Sequence, residues 1–301
     1  MSTLSFPLRS MLFTPGNQTR RVEKALTLNA DAVILDLEDA VASSEKEQAR
    51  AAVVASLTRR TGGGPRRYVR INASNTLWHA EDLDAVMGLP IDGIILPMAE
   101  HPEDVAAVAH RMTELEKQHG LAALTMDLIP IIETGAGLAA VHAIAAVGSH
   151  LRCLAFGAAD FVVDMNMRWT RDEAELTPAR AEIAVASRAA GLAAPVDSVW
   201  TRLQDAEGLV NSANRVRDLG YQGKLCIHPD QLGPVHAAFT PDAEEVAFAD
   251  KVIAAFDEAE AAGSASISVE GHFVDYPIVE RARRLRAFMN IVQSRENNGG
   301  Q

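Results

Sequence analysis

Eight short apolar runs recur through the first three quarters of the chain, each four to six residues long and rich in branched side chains. They are Ser10–Thr14, Ala32–Leu37, Tyr68–Asn72, Gly93–Pro97, Leu128–Ile132, Leu151–Phe156, Pro195–Val199 and Lys224–Ile227. Runs this short cannot make helices, and apolar on both faces they read as buried parallel strands. Seven segments with helical periodicity separate them: Thr19–Asn29, Ser43–Arg60, Ala80–Met87, His101–His119, Leu138–Val147, Pro178–Ala190 and Ala206–Leu219. The second ends at a Gly62-Gly63-Gly64-Pro65 turn. Eight strands alternating with helices are what a (β/α)8 barrel, the TIM barrel, requires. A doubly wound open sheet is the alternative, but it usually carries a G-x-G-x-x-G loop after its first strand, and none follows here.

The rhythm assigns residues 1–240 to a barrel domain and 241–295 to a C-terminal helical extension. That extension has two helices, Asp242–Ala262 and Ile278–Val292, around a linker holding Gly263, Ser264 and Gly271. Ile278, Ala282, Leu285, Met289 and Val292 form one stripe, which must dock on the parent barrel or on a neighbouring subunit. Residues 296–301 read as a disordered tail.

The formal net charge of −12 excludes a basic stripe for nucleic acid, so an anionic substrate needs locally placed cations. Cys153 and Cys226 both lie in apolar runs and read as buried reduced thiols, without the spacing of a zinc site. No apolar run reaches the length of a membrane span or a signal h-region, so the expected location is cytoplasmic, with no membrane partner.

In such a barrel the C-terminal strand ends and their loops build the active site. The polar residues there are Asp36, Glu38 and Asp39 on strand two, Arg70 and Asn72 on strand three, and Glu133 on strand five. Asp160 follows strand six, Asp197 lies in strand seven, and His228 follows strand eight. A right-handed crossover brings Glu133 and Asp160 to one edge of the sheet. Two acids flanked by Gly and Ala suit a hard cation such as Mg²⁺, though two loop acids capping the helices that follow would look the same. Val69 and Ile71 flank Arg70, so alternation turns the guanidinium toward the mouth. Its planar fork suits a carboxylate or thioester oxygen, or an internal ion pair with Asp36, Glu38 or Asp39. Those acids can orient Arg70 or metal-bound water. The amides of Gly157-Ala158-Ala159 suit a substrate carboxylate, and a plain tight turn has the same composition. His228 before Pro229 reads as structural more readily than as an acid or base. Asp275, two residues before Pro277, reads as a helix N-terminal acid.

Seven segments in order, RSMLFTPG (9–16), DAVILDLEDAV (31–41), VRIN (69–72), IPIIET (129–134), FGAADF (156–161), KLCIHPDQL (224–232) and GHFVDYP (271–277), together resemble the citrate lyase β-subunit-like group of the HpcH/HpaI aldolase superfamily. That group includes the malyl-CoA and citramalyl-CoA lyases. The resemblance implies a (β/α)8 barrel with a C-terminal helical extension, assembled as a homotrimer or hexamer. It implies that Glu133 and Asp160 bind Mg²⁺ (or Mn²⁺), that Arg70 contacts substrate, and that the Gly157-Ala158-Ala159 backbone holds the substrate carboxylate. Asp275 is then the acid/base delivered from a neighbouring subunit, and Phe13, Arg20 and Lys24 border the CoA site. One departure stands out: strand four ends Pro97-Met98, where relatives commonly read Pro-Lys.

The reaction so implied is cleavage of a malyl-CoA or citramalyl-CoA type thioester to acetyl-CoA and a small 2-oxo acid, glyoxylate or pyruvate. Two other readings use the same site. One is a malate/citramalate synthase or malyl-CoA thioesterase, and the other is the citryl-ACP lyase subunit of a citrate lyase complex.

Overall fold

Parallel pairing joins eight strands into a closed barrel, β1 Ser10–Pro15, β2 Ala32–Asp36, β3 Arg66–Arg70, β4 Gly93–Leu96, β5 Asp127–Ile132, β6 Ala155–Phe156, β7 Val196–Asp197 and β8 Gly223–Cys226. β1 closes the ring on β8, with Ser10 opposite Lys224. This computed structural model describes residues 6–59 and 64–298, with the side chains of 295–298 left out. Arg60, Gly62 and Gly63 of the expected helix end and turn lie outside the described residues, as do 299–301 of the expected tail.

The period of two along each strand sorts the core into two layers. Met11, Ile34, Tyr68, Ile95, Ile129, Ile131, Ala155, Val196 and Leu225 fill the barrel interior. Leu12, Val33, Leu35, Val69, Ile94, Leu96, Leu128 and Ile132 face outward and pack under the helices. Cys153 lies in the inner layer and Cys226 in the outer; both are buried free thiols that burial pushes up to about 12. At the N-terminal end of the barrel, Asp127 accepts from the Tyr68 hydroxyl at 2.6 Å and pairs with Arg66 at 3.1 Å and Arg152 at 3.3 Å.

The barrel's helices are α1 Thr19–Ala25, α2 Lys46–Thr58, α3 His79–Val86, α4 Pro102–Gln118, α5 Gly135–Ala139, α6 Val141–Ala145, α7 Ala158–Asp164, α8 Thr177–Ala189, α9 Ala206–Asp218 and α10 Leu232–Phe239. The single helix expected over Leu138–Val147 is two short ones, starting at Gly135 and broken at Ala140. β6 and β7 are two-residue strands, shorter than the apolar runs that announce them. The upstream Leu151 meets the barrel through an isolated bridge to Leu128.

Chain contacts divide the molecule into two compact units, 8–239 and a second holding 240 onward. In the second, α11 Ala243–Ala261 packs with α12 Tyr276–Asn298, so α12 extends into the stretch read as tail. Between them lies a hairpin, β9 Ile267–Val269 and β10 His272–Val274, where only a linker was expected. Its turn residues Glu270 and Gly271 both have positive φ, as a two-residue hairpin turn requires. Part of the α12 stripe finds its cover inside this unit: Ala282 joins a core with Val252, Phe256 and Val274, and Leu285 packs against it. The sequence offered barrel or neighbour as the partner for that stripe; for these two residues α11 and the hairpin serve instead. Among the described residues no helix is long and apolar enough to cross a membrane.

Candidate active site

Register brings the mouth together. Asp36 stands directly opposite Arg70 at the ends of β2 and β3, both facing inward because Leu35 and Val69 face out. The guanidinium forks onto Asp36, Nε to Oδ1 at 2.7 Å and Nη2 to Oδ2 at 2.6 Å. Its Nη1 lies 2.8 Å from Glu38 Oε2 and 3.9 Å from Asp39 Oδ2. The Glu38 contact lacks the alignment of a hydrogen bond, and Glu38 Oε2 is buried with no hydrogen-bond partner. The internal ion pair foreseen for Arg70 therefore forms, and with all three candidate acids. Asp36 also accepts from the amides of Glu38 and Ala40, which folds the β2 loop around it. Lys46 Nζ holds the same loop through the carbonyls of Leu37 and Glu38. Phe13, at the end of β1, lies with its ring 4.6 Å from the Arg70 guanidinium carbon.

Glu133 ends β5 on the inward side, after Ile131 faces in and Ile132 out. One carboxylate oxygen, Oε1, accepts the Met98 amide at 2.6 Å. The other lies where Gly157 has no side chain: a Cβ there would stand 2.4 Å from Oε2. Glycine at 157 is thus required by close approach, not by backbone angle. Asp160 occupies the first turn of α7, a helix that the apolar-run pattern did not reveal because its entry is built of small residues. Burial pushes the Glu133 carboxyl up to about 8, with the charges of Glu38 and Asp160 adding to it and the Met98 amide and Arg70 opposing. Burial with the charge of Asp39 raises Asp160 too. Burial raises Glu38 to about 7 against the pull of Arg70.

Carboxyl groups crowded in this way can share a cation. Two carboxylates from adjacent strand ends, with an open oxygen on Glu133, fit Mg²⁺, which takes one or two protein carboxylates and completes its shell with water and substrate oxygens. No group of three or more His, Cys, Asp or Glu side chains able to enclose a metal by itself occurs among the described residues, so the set suits a ligand-completed site rather than a closed one.

The three small residues of the turn have different jobs. The Gly157 amide donates to Ile132 O at 2.9 Å and the Ala158 amide to Ser198 Oγ at 2.9 Å. The Ala159 amide, in the first turn of α7, has no intrahelical acceptor and is the one of the three suited to an incoming anion. Arg20 and Lys24 stand exposed on α1 and contribute no contact to the carboxylate cluster. His228 is a helix cap: its Nδ1 accepts from the Asp230 amide at 3.2 Å. Asp197 faces away from the mouth. Behind the barrel wall it meets Arg180 at 2.8 Å and Lys224, with Glu173 on the far side of Arg180 at 2.9 Å, all four fully buried. Asp275 lies in the second unit at the start of α12, where its backbone carbonyl accepts from the Val279 amide and its carboxylate faces the Ile278 amide at a long 3.5 Å. Ser198 and Lys46 are site residues that the sequence did not point to, and Met98, marked there only as a departure from the family's Pro-Lys, has a backbone role it did not show; all three act through, or on, backbone groups that leave no sequence signal.

Comparison with known proteins agrees with this architecture. The family model described as HpcH/HpaI aldolase/citrate lyase matches residues 9–229. The chain is 36% identical to the citrate lyase subunit beta of Leuconostoc mesenteroides over 94% of its own length and 93% of the relative's. It is 35% identical to a (3S)-malyl-CoA thioesterase of Cereibacter sphaeroides, covering 95% and 96%, and 30% identical to the mitochondrial citramalyl-CoA lyase of Homo sapiens, covering 92% and 84%. Among solved structures, the CitE protein of Mycobacterium tuberculosis in complex with magnesium, acetoacetate and coenzyme A superimposes with a TM-score of 0.78 at 29% identity, over 94% of this chain and 98% of that one. The chain belongs to the HpcH/HpaI aldolase/citrate lyase family.

Proposed function

We propose that the protein is a Mg²⁺-dependent carbon–carbon lyase that cleaves a malyl-CoA or citramalyl-CoA type thioester to acetyl-CoA and glyoxylate or pyruvate. The observation that carries this reading is the pairing of Glu133 and Asp160 beside an arginine already fixed by Asp36. The magnesium, coenzyme A and small-acid ligands of the related structures support it. Glu133 and Asp160 would hold Mg²⁺ (Mn²⁺ as a substitute), which would supply positive charge to the substrate's oxygens. Arg70, its orientation set by Asp36, Glu38 and Phe13, stabilises the negative charge left on the carbinol oxygen as its proton is removed. The Ala159 amide orients the substrate carboxylate. Asp275, supplied by a neighbouring subunit of a trimer or hexamer, takes the carbinol proton and, once the C–C bond has broken and that oxygen has become the keto acid's carbonyl, returns it to the methylene carbon of the acetyl-CoA enolate. In this reading Arg20 and Lys24, exposed on α1, meet the CoA phosphates.

Two relatives favour second readings. The malyl-CoA thioesterase points to hydrolysis after the same enolate chemistry, and the citrate lyase subunit to a substrate carried by an acyl carrier protein. One assay separates all three. Purified protein with Mg²⁺ and malyl-CoA or citramalyl-CoA is expected to release acetyl-CoA and keto acid in equal amounts. Free CoA with free hydroxy acid would assign the thioesterase. Turnover of the carrier-protein thioester alone would assign the citrate lyase subunit.

A further inference from the structure

The mouth holds more negative charge than its own cations balance. Asp36, Glu38, Asp39, Glu133 and Asp160 converge there. Among the described residues the cation acting on both Glu133 and Asp160 is the same one, Arg70. Its fork is closed by Asp36, and its third nitrogen faces Glu38. Lys46 turns its ammonium to two backbone carbonyls. A ligand that brings one carboxylate can share the charge of a bound Mg²⁺, whereas a second carboxylate finds both nearby cations already engaged.

Met98 brings an apolar side chain to the rim beside Glu133. Met98, two residues past the end of β4, is held in the left-handed region at φ 50° with its amide on Glu133. Met98 is 38% exposed, Leu77 and Leu203 stand exposed on the loops after β3 and β7, and Val163 stands exposed on α7. A non-glycine residue keeps that backbone only where its surroundings impose it. Here the imposed turn aims the amide at a metal-site carboxylate and leaves the side chain at the rim, within reach of what binds there.

We infer, building on the lyase reading above, that Met98 is a specificity-determining residue. It restricts the substrate to 3-hydroxyacyl thioesters whose carbinol carbon carries, beside its carboxylate, a hydrogen or a small alkyl group. Thioesters with a carboxymethyl group at that carbon are rejected. The thioether is a soft, adaptable surface for a methyl group. A carboxylate placed against it loses water without gaining a partner, a cost that discriminates strongly.

The experiment measures binding of pyruvate and of oxaloacetate to the Mg²⁺-loaded protein by calorimetry, and kcat/KM for citramalyl-CoA and citryl-CoA. The wild type is expected to prefer pyruvate and citramalyl-CoA by about tenfold or more, the scale of one unpaired ionic group. Met98→Lys should move both ratios about tenfold toward the dicarboxylic partner, with Met98→Arg as the second cationic variant should the first fail to fold. Met98→Asn, which suits the left-handed backbone and adds no charge, should not produce that shift. A wild type that takes oxaloacetate as well as pyruvate overturns the inference. So do cationic variants that leave the ratios unchanged, or an Asn variant that shifts as far as Lys. If Mg²⁺-loaded protein binds neither keto acid and cleaves neither ester, the lyase reading itself falls, and that outcome is distinct from a changed preference.

Discussion

Arg70 enters the mouth with its donors already committed: two to Asp36 in a fork and a third facing Glu38. Such pre-orientation is what a site that stabilises developing charge needs, since no group has to turn during the reaction. Arg70→Lys retains the charge but not the fork, and replaces two charged hydrogen bonds to Asp36 by one. Charge-assisted hydrogen bonds contribute about 1.5–3 kcal/mol each, so turnover should fall about 10- to 100-fold while Mg²⁺ affinity changes little. Glu133→Gln and Asp160→Asn should behave differently. Each removes a proposed metal ligand, and a Lewis acid supplies several kcal/mol, so activity should drop ~10³-fold or more together with Mg²⁺ binding by calorimetry. Unchanged metal affinity in either variant would remove that residue from the metal site. The direction of Arg70 was legible in the sequence because Val69 and Ile71 mark the outward phase of β3. The Met98 clamp on Glu133 was not legible, because a backbone amide carries no identity and a left-handed φ at methionine follows from tertiary constraint rather than local preference.

At the level of elements, the eight strands were legible and their lengths less so. Branched apolar runs announce burial, but a run such as 151–156 is buried whether its backbone pairs fully or, as in β6, for two residues only. α7 and the β9–β10 hairpin escaped detection for opposite reasons. Glycine and alanine give the start of α7 no periodicity, and Glu270-Gly271 lacks the Asn-Gly or Asp-Gly signature of a tight hairpin turn. Asp197 shows what strand position alone leaves open. It lies near a strand end like the site acids, yet its phase sends it outward into the buried ion network that links β7, β8 and α8. Burial alone would raise its carboxyl pKa, but Lys224 and Arg180 outweigh burial and hold it below the ordinary range. A depressed carboxylate contributes stability that is fully present above its unfolded pKa of about 3.9 and is lost as pH falls through the folded value. Asp197→Asn leaves buried Lys224 without a carboxylate and Arg180 with Glu173 alone, so unfolding at pH 7 should become easier by roughly 3–5 kcal/mol. The gap from wild type should narrow as pH falls below about 4, where the carboxylate is protonated in the unfolded chain, and close as pH falls through the lower folded value. Urea titrations across that range check both. A gap that stays constant would show that the network's charges do not set the effect.

Over the whole molecule, the barrel unit carries the proposed metal acids and the guanidinium, while the one acid assigned to proton return, Asp275, belongs to the second unit. Sequence and structure agree on Asp275 at the start of α12, a setting that stabilises a carboxylate whether or not it has a catalytic task. Its proposed role therefore rests on assembly, and mixed oligomers test assembly directly. Asp275→Asn should lower turnover strongly and leave Mg²⁺ binding intact, because the metal acids lie in the other unit. Glu133→Gln should lose both. If each site combines the metal acids of one subunit with Asp275 of another, co-expressing the two inactive chains creates some sites with both residues intact. Random mixing in a closed ring gives about a quarter of wild-type activity, since an intact site requires one particular chain type at each of two positions. Mixing already assembled proteins should restore activity only as subunits exchange. Recovery near zero in co-expressed, properly assembled oligomers would mean that each chain supplies its own acid, and the neighbouring-subunit role of the second unit would be wrong even with the metal site correct.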